Sequence, residues 1–227
     1  MTPYGLPRYR DCIYWRPEPP CPLEAVNPLA MKLINAFATP IALNRCPRAA
    51  EINGTLHDII RSMSQEESSD DQGRAHVGGW YSRGGFLARE EPEVAILKEF
   101  FSRSARKYLS QVVSEEFAGK SKLNFHTWVA LTQAQEYQPP HVHARSHISG
   151  VYYVNVPQCP KPQGDLAFIT PVGEQELDFF SSIAATSFKV RPNPGDLVIF
   201  PSYLRHYTHP FFQGADRSLV VFTVNCY

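Results

Sequence analysis

After Lys120 the sequence becomes a series of short segments typical of β-strands. These segments are rich in Val, Ile, Phe, Tyr and Thr, and they are bounded by Gly, Pro or Asn. The segments are residues 125–131, 149–156, 165–170, 187–191, 196–200 and 217–225. Six such strands at close spacing predict a sandwich or a barrel.

The last of these segments is largely apolar on both of its faces. Side chains alternate between the two faces of a strand. One face therefore holds Leu219, Val221 and Thr223, and the other holds Val220, Phe222 and Val224. We expect one of these two sets to line the β core and helices to cover the other set.

Helices are predicted in the first half of the chain. Residues 49–64 and residues 93–117 place apolar side chains three or four positions apart, which is the period of an amphipathic helix. Residues 65–79 are polar, acidic and then Gly-rich, so they predict a loop, and residues 80–86 predict a return to strand. Residues 1–30 are rich in proline and predict an irregular arm.

The expected fold is therefore mostly β, with N-terminal helices packed as one layer on a double-sheet core. A chain of 227 residues is long enough for one generous domain. We expect a single domain over residues 1–227. Residues 1–120 would form the arm and the supporting helices, and residues 121–227 would form the β core.

Composition argues against several classes of protein. The 22 Lys and Arg residues balance the 22 Asp and Glu residues, so no basic excess indicates nucleic-acid binding. No apolar run approaches the roughly 20 residues that span a bilayer, and the N-terminus lacks the pattern of a signal peptide. The 5 Cys residues are scattered and never form Cys-x-x-Cys, which favours reduced thiols and a cytoplasmic location.

Three histidines predict a metal site. His141 and His143 follow Pro139-Pro140, which stiffens the chain, and in extended backbone they project from the same face. His206 follows another strong strand. Three imidazoles suit a transition metal. A structural zinc site usually has four protein ligands that include thiolates, so open coordination positions, and hence catalysis, are favoured.

Two other histidines are alternative ligands. His147 lies four residues beyond His143 and needs a turn or helix to share an ion with it. His209 lies three residues beyond His206, on the opposite face if the strand continues. We expect both to be polar residues near the site.

Arg217 and a tyrosine are candidates for binding an anionic co-substrate. A guanidinium group binds a carboxylate through two parallel hydrogen bonds. If residues 206–217 form a hairpin, His206 and Arg217 lie near one another, and a dicarboxylate would bridge the metal and the arginine. On the strand after His143, either Tyr152 or Tyr153 must face the core, where its hydroxyl needs a partner.

From about Trp128 to the C-terminus, the chain resembles the iron(II)/2-oxoglutarate-dependent oxygenases. It is most similar to a bacterial subgroup in which Pro-His-x-His is followed by Ser-Gly-Val-Tyr-Tyr-Val. The matching pieces are Pro140 to His143, Ser149 to Val154, Gly164 to Phe168, Gly195 to Ser202, His206, Pro210 and Arg217. The resemblance implies a double-stranded β-helix, which is a cupin-like jelly roll, as the core carrying the metal site.

The resemblance also implies roles for particular residues. His141, His143 and His206 correspond to the ligands of Fe(II). Arg217 and Tyr153 correspond to the residues that hold the distal carboxylate of the co-substrate, 2-oxoglutarate. Most of the superfamily has a carboxylate at the position of His143. Three neutral histidines leave the iron its full positive charge, which strengthens its attraction for an anionic co-substrate.

Our leading hypothesis is therefore a dioxygenase that hydroxylates an unidentified small-molecule or peptide substrate, with no catalytic side chain beyond the metal site. One alternative is a three-histidine cupin-like dioxygenase that does not use 2-oxoglutarate. Another is a jelly roll that binds a metal or ligand without turnover. An exposed strand edge is compatible with a homodimer.

Overall fold

The computed structural model describes residues 38–70, 75–171 and 187–227, and Thr39–Tyr227 form one compact unit. The predicted N-terminal arm and the insertion at residues 172–186 lie outside the described residues. The strands are β1 (Ala42–Arg45), β2 (Trp80–Tyr81), β3 (Leu123–Thr132), β4 (Ile148–Asn155), β5 (Leu166–Ile169), β6 (Ser187–Val190), β7 (Asp196–Pro201), β8 (His206–Thr208) and β9 (Arg217–Cys226). The helices are α1 (Ala49–Glu66), α2 (Pro92–Val112) and α3 (Glu115–Lys120), with a 3-10 helix at Phe86–Ala88.

Two antiparallel sheets form the β core. The larger has the strand order β1-β7-β4-β9-β3-β2, and the smaller has the order β6-β5-β8. The longest pairing joins β3 to β9, from Leu123 opposite Cys226 to Thr132 opposite Arg217. The predicted two-sheet β core with N-terminal helices is confirmed.

The two faces of β9 divide the interior as the sequence predicts. Val220, Phe222 and Val224 belong to the apolar cluster that includes the helices. Leu219 and Val221 belong to a second cluster on the opposite face of the sheet. The large sheet is therefore buried on both sides, against helices on one face and against the small sheet on the other.

The helices pack on the large sheet through regularly spaced apolar side chains. In α1, Ile52, Leu56 and Ile60 are fully buried and lie four residues apart, on one face of the helix. Helix α2 begins with Pro92, whose fixed φ and missing N–H suit the first turn. Its Phe101 ring contacts the Phe222 ring of β9, with centroids 4.7 Å apart.

Three details differ from the sequence predictions. The predicted helix over residues 93–117 is split, because Ser114 adopts extended backbone and its hydroxyl accepts a hydrogen bond from the N–H of Phe117, which caps α3. The predicted strand over residues 80–86 is only Trp80–Tyr81, and Gly85, with φ of 97°, leads into the 3-10 helix. Strands β1 and β8 were not predicted.

None of the helices among the described residues has the length and apolar character needed to cross a bilayer.

Candidate active site

Backbone hydrogen bonds bring the three predicted metal ligands together. His141 and His206 form an isolated antiparallel bridge, in which each N–H donates to the other residue's carbonyl at 3.0 Å. The N–H of His143 donates to the carbonyl of Ser202, also at 3.0 Å. His141 and His143 lie outside the named strands, so these bonds, rather than a continuous strand, fix their positions against β8 and the turn before it.

The three imidazoles converge on one point. One ring nitrogen from each of His141, His143 and His206 lies within 4.8 Å of the other two. The ring centroids are 4.2 Å apart for His141 and His206, 4.9 Å for His143 and His206, and 5.3 Å for His141 and His143. Three nitrogen donors at these separations are within reach of a single ion.

The other nitrogen of each ring is held by a hydrogen bond. His141 Nδ1 donates to the Pro139 carbonyl at 2.8 Å, and His206 Nδ1 donates to the Leu204 carbonyl at 2.9 Å, because a carbonyl can only accept. His143 Nδ1 lies 2.8 Å from the Ser149 hydroxyl. A hydrogen bond at Nδ1 orients the ring and leaves Nε2 to bind a metal.

Burial favours the neutral form of His141 and of His206. It lowers the pKa of His206 to about 3, and the nearby His141 acts in the same direction. Burial also lowers the pKa of His141, although its hydrogen bond to Pro139 opposes the shift. Neutral imidazole is the form that binds metals. Within the described ranges no Asp or Glu joins the cluster, so an ion bound here keeps its full positive charge.

Arg217 is a buried cation with no acidic partner in the part of the chain that the structure describes. Its side chain is 0% exposed. Nε donates to the Thr132 hydroxyl at 3.2 Å, and one Nη donates to the Thr208 hydroxyl at 3.4 Å. The other, Nη1, has no hydrogen-bond partner. Burial lowers the pKa of Arg217, but guanidinium groups stay protonated in proteins.

Tyr153 provides a second buried polar group without a partner. Its ring is fully buried, and its hydroxyl makes no hydrogen bond. Burial raises the pKa of Tyr153, while the positive charge of Arg217 opposes the shift. Buried polar groups are nearly always hydrogen-bonded in proteins, so two neighbouring exceptions indicate a ligand site.

A cavity of about 480 Å³ connects the histidines to Tyr153. Its lining includes the three histidines, Tyr153 and Thr208, whose hydroxyl contacts Arg217. Arg217 does not itself line the cavity, and it contacts the lining through the hydroxyl of Thr208.

A sequence comparison matches the part of the chain that carries this site. Residues 126–223, which include His141, His143, His206 and Arg217, match the family model described as "Putative 2OG-Fe(II) oxygenase". Over these residues the chain is similar to the iron(II)/2-oxoglutarate-dependent oxygenases. It is an oxidoreductase whose cofactors are Fe(II) and 2-oxoglutarate. A search of curated proteins found no match.

Solved structures support the fold of this oxygenase. A prolyl-4-hydroxylase from Pseudomonas putida is 16% identical, with a TM-score of 0.59, covering 82% of this chain and 92% of that chain. A Trichoplax adhaerens prolyl hydroxylase, in complex with a hypoxia inducible factor peptide fragment, is 14% identical, with a TM-score of 0.57 and coverage of 82% and 83%.

HygX from Streptomyces hygroscopicus, with nickel and 2-oxoglutarate bound, is 11% identical, with a TM-score of 0.54 and coverage of 82% and 83%. At these identities the likeness establishes the fold alone. The predicted double-stranded β-helix of the oxygenase is confirmed.

Neither alternative ligand joins the histidine cluster, and the predicted hairpin does not form. His147 Nδ1 accepts a hydrogen bond from the N–H of Cys226 at 2.9 Å, and neither His147 nor His209 belongs to the histidine cluster. The hairpin over residues 206–217 is wrong, because β8 pairs with β5 in the small sheet whereas β9 pairs with β3 and β4 in the large one. Arg217 instead contacts β8 across the two sheets, through the hydroxyl of Thr208.

Sequence reasoning missed the polar side chains that support the site. Thr208 lies two residues after His206 on β8, and this spacing was a usable signal for a shared face. Thr132 lies opposite Arg217 only because of the long-range pairing of β3 and β9, for which the sequence gives no local signal. Ser149 and Ser202, which are linked to His143, are 53 residues apart.

Proposed function

We propose that this oxygenase binds Fe(II) through His141, His143 and His206, holds 2-oxoglutarate with Arg217 and Tyr153, and hydroxylates a small-molecule or peptide substrate. The observation that carries the proposal is the fully buried Arg217, which has an unpartnered Nη1 and no acidic partner among the described residues. Burying a charge without a counter-ion is costly, so a function must account for its presence.

A dicarboxylate accounts for both unpartnered groups. One carboxylate placed beside Arg217 accepts hydrogen bonds from Nη1 and from the hydroxyl of Tyr153, and its negative charge balances the guanidinium. The other end of the molecule faces the histidines through the same cavity. The donor set is compatible with Fe(II), because neutral imidazole is a common ligand of that ion.

When bound, Fe(II) and 2-oxoglutarate supply the oxidising chemistry. One O₂, one 2-oxoglutarate and one substrate C–H bond give succinate, CO₂ and a C–OH bond, so electrons and atoms balance. The chain's own residues bind and orient. Arg217 and Tyr153 fix the co-substrate, and the histidines hold the ion. No acid–base side chain is required.

The remaining wall of the cavity would receive the prime substrate. His126 and Trp128 line it, and their rings lie 5.6 Å apart. An aromatic wall offers contact area to an organic substrate without selecting one. Support for a peptide or a small molecule comes from the neighbours, of which one was solved with a peptide fragment and another with hygromycin B.

Two measurements on the purified protein test the proposal. Anaerobic titration with 2-oxoglutarate in the presence of Mn(II) measures binding, and succinate release with Fe(II) and O₂ measures turnover. We expect both in the wild type, and we expect Arg217→Met to lose both while it still binds Mn(II). Oxygen consumption that does not depend on 2-oxoglutarate would favour the cupin-like alternative. Metal binding without any oxygen consumption would favour the non-catalytic one.

We also propose a cytoplasmic location and a homodimer. Cys46, Cys159 and Cys226 are free thiols, which is compatible with a reducing compartment. Strand β1 lies at the edge of the large sheet within the described residues, and edge strands are able to pair with a second copy. Fluorescence microscopy of a tagged chain and light scattering after size-exclusion chromatography test the two points.

A further inference from the structure

We propose that Asn53 and His57 of helix α1 are positioning residues for the co-substrate site on the opposite face of the large sheet. His57 holds the strand segment that carries Arg217, and Asn53 holds the segment that carries Tyr153. The inference rests on the proposed function, in which Arg217 and Tyr153 bind 2-oxoglutarate. Neither α1 residue lines the cavity, so both act through the strands that they contact.

His57 contacts both chain neighbours of Arg217. Its Nδ1 lies 2.9 Å from the hydroxyl of Ser218, and its Nε2 lies 3.5 Å from a carboxylate oxygen of Asp216. Ser218 is fully buried, so its hydroxyl relies on this contact rather than on water. Successive side chains of a strand point to opposite faces, so holding Ser218 against α1 turns Arg217 away from the helix.

Arg217 needs this support because its own contacts hold it weakly. It is the first residue of β9, and its pair with Thr132 is the last in the ladder between β3 and β9. The ends of elements open more readily than their centres. The hydrogen bonds of its guanidinium, to Thr132 at 3.2 Å and to Thr208 at 3.4 Å, lie at or beyond the long end of the usual range. The direction of the side chain therefore depends on the contacts that His57 makes on either side of it.

Asn53 holds an irregularity of the sheet beside Tyr153. Strand β4 advances two residues, from Tyr153 to Asn155, while its partner β9 advances one, so Val154 is an extra residue as in a β-bulge. The carbonyl of Val154 accepts a hydrogen bond from Nδ2 of Asn53 at 2.8 Å. Bulges redirect neighbouring side chains and are common next to active sites. Asn53 thus fixes the backbone conformation that follows Tyr153.

The two contacts belong to one structural unit. Asn53 and His57 lie four residues apart, on the same face of α1. The bulge and the start of β9 are also joined directly, because Nδ2 of Asn155 donates to the carbonyl of Asp216 at 2.6 Å. One turn of one helix therefore holds both co-substrate residues. A ligand that contacts both of them needs their separation to be fixed before it binds.

The position of Arg217 is measurable without metal or co-substrate. Its Nε–H donates to Thr132 inside the protein and should give a ¹H–¹⁵N signal protected from exchange, identified by its absence from Arg217→Met. We expect His57→Ala to shift or broaden this signal. His57→Asn, whose amide keeps a polar atom close to the position of Nδ1, should restore it. Ile60→Ala is the matched control, because Ile60 is fully buried on the same helix but apolar. An unchanged signal in His57→Ala would overturn the inference.

Calorimetric titration with 2-oxoglutarate in the presence of Mn(II) measures the consequence for binding. We expect His57→Ala and Asn53→Ala each to weaken 2-oxoglutarate binding roughly 2- to 30-fold, with Mn(II) binding as in the wild type. Tyr152→Phe is the matched control for Asn53. It removes the hydroxyl that donates to Oδ1 of Asn53 at 2.7 Å but keeps the bond from Nδ2 to Val154, so 2-oxoglutarate binding should not change.

Failure of the inference is distinguishable from failure of the proposed function. If Arg217→Met loses 2-oxoglutarate binding while His57→Ala and Asn53→Ala bind it like the wild type, the α1 residues do not position the site and the inference alone is wrong. Equal weakening in Ile60→Ala would show a general loss of order and would also overturn it. If Arg217→Met binds 2-oxoglutarate like the wild type, the proposed function is wrong and the inference fails with it.

Discussion

Arg217 should contribute little to the stability of the ligand-free protein, although the proposed function depends on it. In the absence of metal and 2-oxoglutarate, its guanidinium is fully buried with two hydrogen bonds to threonines and no carboxylate among the described residues. Replacing a buried ionic group by an apolar side chain of similar size is often stabilising by about 1–4 kcal/mol. Against this, two buried threonine hydroxyls lose a partner, at about 1 kcal/mol each.

The difference is a change in the free energy of unfolding of the ligand-free protein of about −1 to +2 kcal/mol, so we expect Arg217→Met to be close to neutral or stabilising. For a chain of this size, the melting temperature rises by about 2–4 °C per kcal/mol. The same substitution should weaken 2-oxoglutarate binding by about 2–5 kcal/mol, which is roughly 30- to 4,000-fold at 1.4 kcal/mol per decade. Urea denaturation and calorimetric titration measure the two effects.

Arg191 provides a matched control. Its guanidinium donates to the carboxylate of Asp165 at 2.8 Å and to the carbonyl of Cys159, and Asp165 is buried. Arg191→Met leaves that carboxylate without its cation, so it should lower stability without a direct effect on 2-oxoglutarate binding. Our reasoning about Arg217 is refuted if Arg217→Met destabilises the ligand-free protein as much as Arg191→Met does, or if it binds 2-oxoglutarate like the wild type.

Three further predictions address the co-substrate, the core and the metal. Tyr153→Phe should weaken 2-oxoglutarate binding by about 1.5–3 kcal/mol, the value of a hydrogen bond to a charged group, and leave stability unchanged. Tyr152→Phe should lower the free energy of unfolding and leave 2-oxoglutarate binding unchanged. Calorimetric titration measures the binding, and urea denaturation measures the stability. Gly150→Ala should lower the free energy of unfolding, measured by urea denaturation, by at least about 1–3 kcal/mol. The reason is that the new Cβ would lie 2.2 Å from the buried Phe222 ring. A variant as stable as the wild type would contradict the pairing of β4 with β9. Mn(II) at 100 times its Kd should raise the free energy of unfolding of the wild type by about 2.7 kcal/mol, whereas an equal rise in His206→Ala would exclude His206 as a ligand.

The sequence predicted those features that depend on local period and residue type. Alternation along residues 217–225 was enough to sort the side chains of β9 onto two faces, although not to say which face lines the β core, because a strand has a fixed two-residue repeat. The histidine cluster was predicted from chemistry, since three imidazoles beside strong strands suit a transition metal.

Features that depend on long-range pairing were not predictable. The hairpin placing His206 beside Arg217 was wrong because nothing local in residues 206–217 indicates that β8 joins the other sheet. Ser202 supports His143 for the same reason, through the pairing of β7 with β4. The break between α2 and α3, in contrast, was predictable from the sequence. Ser114 followed by two glutamates is a recognisable helix start, and this signal was available in the sequence.

Neighbouring residues on β4 show how the fold separates stability from function. Tyr152 faces the helices, and its hydroxyl donates to Asn53 at 2.7 Å. Tyr153 faces the cavity, and its hydroxyl has no partner. The same alternation on β9 buries Ser218 against His57 of α1, with a hydrogen bond of 2.9 Å, and leaves Arg217 on the cavity side with an unpartnered Nη1. One face of the large sheet thus satisfies its polar groups internally, while the other retains buried donors without partners among the described residues. Under the proposed function, the co-substrate offsets the cost of these donors when it binds, and the free energy lost in folding is recovered as affinity.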